Sequence, residues 1–184
     1  MRYSYTGMPF PEQSQKLWAV AIFLPRELDS IIAPLRERFD PDYDICASHI
    51  TIVFPFESTL TLDELSQIIG DEVSRMEAVE IELELIDDFY PDSPVIYWSV
   101  KNNESLNVLH KRLYSRLDLP LPVKRYIPHV TVAREISHHR VMLVKERIVP
   151  YLSEEKFPVR SIDLISPVAS HKWVSVRSFS LPRH

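Results

Sequence analysis

Two short strings in the chain have the residue types and spacing to do chemistry: His49-Ile50-Thr51-Ile52 and His129-Val130-Thr131-Val132. With seven histidines and five threonines in 184 residues, chance would supply only about 0.2 His-x-Thr triplets. Both triplets lie in apolar, β-branched runs, ASHITIVFPF over 47–56 and IPHVTVAR from Ile127 to Arg134. Residues i and i+2 of a strand share a face. His49 and Thr51 therefore point one way and Ile50 and Ile52 the other, and the same holds for His129 and Thr131 against Val130 and Val132. A lone His-x-Thr in a strand is ordinarily a core or cross-strand hydrogen bond. Two copies in matched places point instead to one shared groove holding two imidazoles and two hydroxyls.

Two imidazoles can divide the work of general acid and general base near neutral pH, and hydroxyls can donate to non-bridging phosphate oxygens. The set suits in-line attack on a phosphodiester. One histidine takes a proton from water, or from a ribose hydroxyl in the reverse direction, and the other gives one to the leaving oxygen, while the threonines hold the phosphoryl group. With both imidazoles near their reference pKa of about 6.5, the rate should trace a bell centred roughly between pH 6 and 7.5.

Around this core set stand candidate substrate-binding residues. Lys124, Arg125 and Arg134 form a local basic patch in a chain whose net charge is −5, a balance that speaks against general polyanion binding. Strict alternation turns Arg134 with Val130 and Val132, away from the groove, unless the strand ends before it. Phe54 and Phe56 have rings that could stack on a base or fill the core. Two histidines are too few for a zinc site, and neither motif contains an acidic residue; neither metal nor cofactor is expected. His138 and His139 are neighbours that do not face each other on a helix, and His110, His171 and His184 have no constellation.

Composition narrows the field further. The only glycines, Gly7 and Gly70, cannot build a glycine-rich phosphate cradle, so P-loop and dinucleotide-binding folds drop out. The single cysteine, Cys46, allows no intrachain disulfide and fits a reduced compartment. The first residues lack the apolar stretch of a secretory signal, and no run approaches the roughly 18 apolar residues of a membrane span. The expectation is a cytoplasmic monomer without a membrane partner.

The elements that must position these residues follow from periodicity. Lys16–Pro25 reads as a strand, and Leu28, Ile31, Ile32, Leu35 and Phe39 as a helix ended by Pro41. Residues 47–56 form a strand. Thr61 and Glu64 make a capping box for a helix carrying Leu65, Ile68, Ile69, Val73 and Met76. Val79–Phe89 alternates as a strand with one wet face. The pattern then restarts: a strand at 95–101, a helix marked by Leu106, Leu109, Leu113 and Leu117, a strand at 127–134, a helix at 137–149, and strands at 157–166 and 171–181 pairing as a hairpin-like end. At an offset of about 80 residues the two His-x-Thr strings align and Trp18 matches Trp98. The expected fold is α+β and bilobal: duplicated β-α-β-α-β units whose mostly antiparallel sheets face a central cleft, with helices outside. One domain spans 1–184, with an irregular arm at 1–15, a first repeat at 16–90 and a second at 95–181.

The stretches SHITIVFPF and PHVTVAR, with this strand–helix order over about residues 16–181, resemble the two-histidine phosphoesterase superfamily. Its hallmark is a pair of His-x-Thr/Ser-x motifs about 80 residues apart. The resemblance is strongest to the bacterial 2′-5′ RNA ligase and RNA 2′,3′-cyclic phosphodiesterase-like branch. It implies a bilobal duplicated fold, no metal, and hydrolysis or reversible ligation at 2′,5′-linked or 2′,3′-cyclic phosphate. By position it implies His49 and His129 as the catalytic pair and Thr51 and Thr131 as phosphate binders. The partner implied is a nucleotide or an RNA-end phosphodiester; an RNA end, a small cyclic nucleotide and an ADP-ribose cyclic phosphate all fit. The rival class is a non-catalytic nucleotide- or RNA-binding module using the same cleft, although intact histidine and threonine in both halves favour the enzyme.

Overall fold

The computed structural model describes residues 16–101, 103–168 and 171–182; the expected arm at 1–15, and His184, lie outside them. In chain order the elements are β1 (Lys16–Phe23), α1 (Arg26–Phe39), β2 (His49–Ser58), α2 (Leu62–Val73), β3 (Glu80–Asp88), β4 (Ile96–Val100), α3 (Glu104–Arg116) and β5 (His129–Ala133). There follow α4 (Val141–Ile148), framed by single 3-10 turns, then β6 (Glu155–Pro158), β7 (Ser161–Pro167) and β8 (Trp173–Ser180). The fold is α+β. The strands form one antiparallel sheet in the order β6-β3-β4-β5-β2-β1-β7-β8. The two sheets expected from sequence are thus joined edge to edge, and the seam between them is one residue pair, Ile50↔Val130.

Alternation sets the two faces of this sheet. Val20, Ile22, Ile50, Ile52, Trp98, Val130 and Val132 are buried in the main core, with Leu28, Ile32 and Leu35 of α1 and Leu106, Leu109 and Leu113 of α3. Placement of the helices is crosswise: α1 packs on β5 and α3 on β2. α2 begins as its sequence dictates. The Thr61 hydroxyl accepts from the Glu64 amide while the Glu64 carboxylate accepts from the Thr61 amide, satisfying two donors that a helix start leaves orphaned.

Residues 157–166, read as one strand, are two. β6 pairs with β3 at one edge of the sheet, and β7 pairs with β1 near the other. Only Val159 and Arg160 lie between them. Six strand spacings separate β6 from β7 in the order, about 29 Å in a flat sheet, yet two residues reach only about 11 Å. The sheet must curl until its ends meet. The amide of Val159 donates to the Val79 carbonyl and that of Leu181 to the Arg160 carbonyl, pinning the crossing. Each half-sheet consequently draws on both halves of the chain: β2-β1-β7-β8 uses residues 16–58 and 161–180, and β6-β3-β4-β5 uses 80–133 and 155–158.

Trp18 and Trp98, matched by sequence offset, do not occupy equivalent cross-strand positions. Trp18 lies opposite Phe56, and Trp98 opposite Val130. The residue opposite His49 is Phe23, five after Trp18, whereas the residue opposite His129 is Ser99, one after Trp98, so the offset of 80 that aligns the histidine strings does not carry to β1 and β4.

Candidate active site

The seam pair fixes the site. With Ile50 opposite Val130, antiparallel register sets His49 across from Thr131 and Thr51 across from His129. Ile50 and Val130 are fully buried on the helix side, so the four polar side chains share the opposite, concave face. All four line one cleft of about 890 Å³.

The two imidazoles are held alike. His49 Nδ1 lies 2.8 Å from the Ala47 carbonyl and His129 Nδ1 lies 2.7 Å from the Ile127 carbonyl. A carbonyl only accepts, so each Nδ1 carries the proton and each Nε2 is the free, basic nitrogen. Burial pushes the His49 pKa down to about 4, opposed by the Ala47 hydrogen bond and assisted by the nearby charges of Arg36, Arg134 and His129. Burial also lowers His129, against its bond to Ile127. The free cleft thus favours two neutral imidazoles at neutral pH. Their surroundings differ: His129 packs edge-on to Phe89 at 4.9 Å and beside Tyr97 at 5.1 Å, whereas His49 has Phe23 at 6.2 Å and the Cys46 thiol 3.5 Å from Nδ1.

The outer candidates, Phe54, Lys124, Arg125 and Arg134, also line this cleft. Arg134 corrects the alternation argument. β5 ends at Ala133, and Arg134 turns into the cleft, where Nη1 donates to Asp42 at 3.1 Å and Nε lies 3.6 Å from Asp40. Phe54 and Phe56 differ in burial. β2 slips register against β1 twice between Thr51 and Phe56, reversing the facing of Val53 and Phe54 and then restoring it. Val53 and Phe56 are buried, and Phe54 is 40% exposed at the cleft. Lys124 pairs with Asp92 at 3.0 Å, and Arg125 is exposed with no carboxylate partner among the described residues.

Several lining residues carried no sequence signal. Arg36 is buried and chelates Asp40, with Nη1 donating to the Cys46 carbonyl and Ser48 hydroxyl. A buried arginine in a helical stripe looks like surface charge until its partners from the following loop are known. Four cations, Arg36, Lys124, Arg125 and Arg134, face three carboxylates, Asp42 and Asp92 along the lining and Asp40 buried against Arg36 and Arg134. That local excess of positive charge contrasts with the net −5 of the chain. Among the described residues no three His, Cys, Asp or Glu side chains converge as metal ligands, and no helix is long and apolar enough to cross a membrane. His138 and His139 sit in an exposed 3-10 turn, and His171 is exposed.

A family model described as the 2′-5′ RNA ligase superfamily matches residues 24–170. A Geobacillus kaustophilus protein provisionally named a phosphoesterase is 30% identical over 123 residues, 65% of this chain and 69% of its own. An Oceanobacillus iheyensis protein, also provisionally named a phosphoesterase, is 24% identical over 167 residues, 90% of this chain and 98% of its own. Among solved structures, E. coli LigT complexed with 3′-AMP superposes with a TM-score of 0.69 at 17% identity, covering 92% of this chain and all of that one.

Proposed function

The chain belongs to the 2′-5′ RNA ligase superfamily of two-histidine phosphoesterases, and on that premise we propose that its cleft turns over 2′,3′-cyclic or 2′,5′-linked phosphodiesters of nucleotides or RNA ends. The observation that supports this most is the Ile50↔Val130 seam, which sets each histidine across from the other motif's threonine. In hydrolysis of a 2′,3′-cyclic phosphate, the Nε2 of one histidine takes a proton from water as its oxygen bonds to phosphorus. The bond from phosphorus to one ribose oxygen breaks, and the other histidine protonates that oxygen. Solvent exchange then resets the two protons. Thr51 and Thr131 hydroxyls donate to the non-bridging oxygens, and the phosphate's own negative charge raises the proton affinity of the imidazoles that burial had lowered.

In this reading Arg134 and Arg125, which line the cleft, steer the anion, and Phe54 offers a ring to a base. LigT, which shares the fold, was solved with a nucleotide bound. Charge stabilisation by imidazolium and hydroxyl donors requires no ion, so turnover is expected to survive EDTA and dialysis.

The deciding experiment is steady-state turnover of adenosine 2′,3′-cyclic phosphate and a 2′,5′-linked dinucleotide by the wild type and by His49→Ala and His129→Ala. Each variant should lose about 10²–10⁴ in kcat, and the double variant should be little worse than either. Near wild-type turnover in either single variant would remove that histidine from the site. Nucleotide binding with no turnover in the wild type would favour the non-catalytic module.

A further inference from the structure

Past Ile50, β2 no longer pairs with β5, and its register against β1 slips in the same stretch. The backbone of the segment carrying Thr51 and Phe54 is thus poorly served by the sheet. Side chains from α3 and the loop before β5 supply the missing partners. The Tyr126 hydroxyl donates to the Thr51 carbonyl at 2.8 Å. His110 Nδ1–H donates to the Ile52 carbonyl at 2.7 Å. The Tyr114 hydroxyl accepts from the Phe54 amide at 3.3 Å. These three side chains are also one packed unit: the rings of His110 and Tyr126 stack at 3.9 Å and 6°, and His110 lies 4.6 Å from Tyr114. His110, only 3% exposed, is a buried histidine with no part in the chemistry proposed above. Its neighbours, Tyr114 and Tyr126, lie outside the set lining the cleft.

We infer that His110, Tyr114 and Tyr126 are positioning residues that replace the strand ladder beside β2, holding the Thr51 hydroxyl and the Phe54 ring where substrate meets them. The inference rests on the reading of the cleft given above. Its physical basis is that orphaned backbone groups in a buried bulge must find partners, and the partners found here come from a single element and its following loop. A strand free to relax at this point would return Phe54 to the core side that alternation assigns it.

Tyr126→Phe keeps the ring stacked on His110 and removes only the donor to Thr51. It should lower kcat/KM on adenosine 2′,3′-cyclic phosphate about fourfold, no more than loss of the Thr51 hydroxyl itself, while the protein stays folded. In a Thr51→Val background the same change should cost less than about twofold, because the group it positions is gone. His110→Gln, which keeps an N–H donor, should retain most activity; His110→Leu should not. A loss of equal size with and without Thr51 would mean general structural damage and would overturn the assignment, as would Tyr126→Phe turning over like the wild type. The readout independent of turnover is amide exchange at Phe54 and the Thr51 methyl resonance. Faster exchange and a shifted methyl in Tyr126→Phe support the brace even if His49→Ala leaves turnover intact and the enzymatic reading fails. An unchanged pair of signals refutes the brace whatever the histidine variants do.

Discussion

His49 and His129 each have Nδ1 committed to a carbonyl two residues upstream, so orientation and tautomer are settled before any ligand arrives. Protonation is not, and the burial that orients the rings also disfavours their charge. His49, with a pKa near 4, should titrate by NMR well below 6.5 in the free protein and move upward when inorganic phosphate is added. Because proton binding to the folded state is weakened, the unfolded chain takes up a proton on His49 between about pH 6.5 and 4 that the folded chain refuses. Stability is therefore lost as pH falls through that window. The pH profile of kcat/KM, which reports the free enzyme, should lie on the acid side of the profile of kcat, which reports the phosphate-bound state. Coincident profiles would mean that bound phosphate leaves the imidazoles unperturbed. Thr51→Val and Thr131→Val each remove one neutral donor and no proton carrier. They should cost about 1 kcal/mol apiece, roughly fivefold in kcat/KM; unchanged kcat and KM in both would take the threonines out of the site.

At the scale of elements, α2 offers two changes far from the cleft with opposite signs. Thr61→Ala deletes one half of a complete capping box and should destabilise by about 1 kcal/mol. Gly70 sits inside the same helix, where an added Cβ would meet Phe179 at 3.5 Å, ordinary contact distance. Gly70→Ala should therefore stabilise by about 0.5–1 kcal/mol. Urea denaturation measures both, and turnover should be unaffected by either. α2 was legible because its signals are local: a cap, a period and a run of aliphatics. The His-x-Thr strands were legible for the same reason, since period-2 alternation fixes which residues share a face. What sequence alone could not convey depends on long-range pairing. β6 and β7 read as one strand because no turn residue stronger than Pro158 separates them, and their parting is set by partners some 75 and 145 residues upstream. Phe54 defied alternation because a bulge is a mismatch between two strands and leaves no mark in either one. His110 has no constellation in the sequence because its acceptor, the Ile52 carbonyl, is 58 residues away.

For the whole molecule, the seam is the critical contact. Ile50 is fully buried at the single pair joining the half-sheets, and Ile50→Ala should cost about 2–5 kcal/mol. It should also depress turnover, since both motifs take their relative placement from that pair; a destabilised variant with intact kcat would show that the helices alone align the halves. Calorimetry should show one unfolding transition, because neither half-sheet is complete without strands from both parts of the chain. The two-residue crossing at Val159–Arg160 also orders events during synthesis. β1 is made first among the described strands, yet its outer neighbours β7 and β8 are made last, up to Ser180. A nascent chain that has already exposed both His-x-Thr motifs to solvent by residue 131 still lacks one wall of its cleft. The face that carries both motifs is walled in only when β7 and β8 have been made and fold back beside β1.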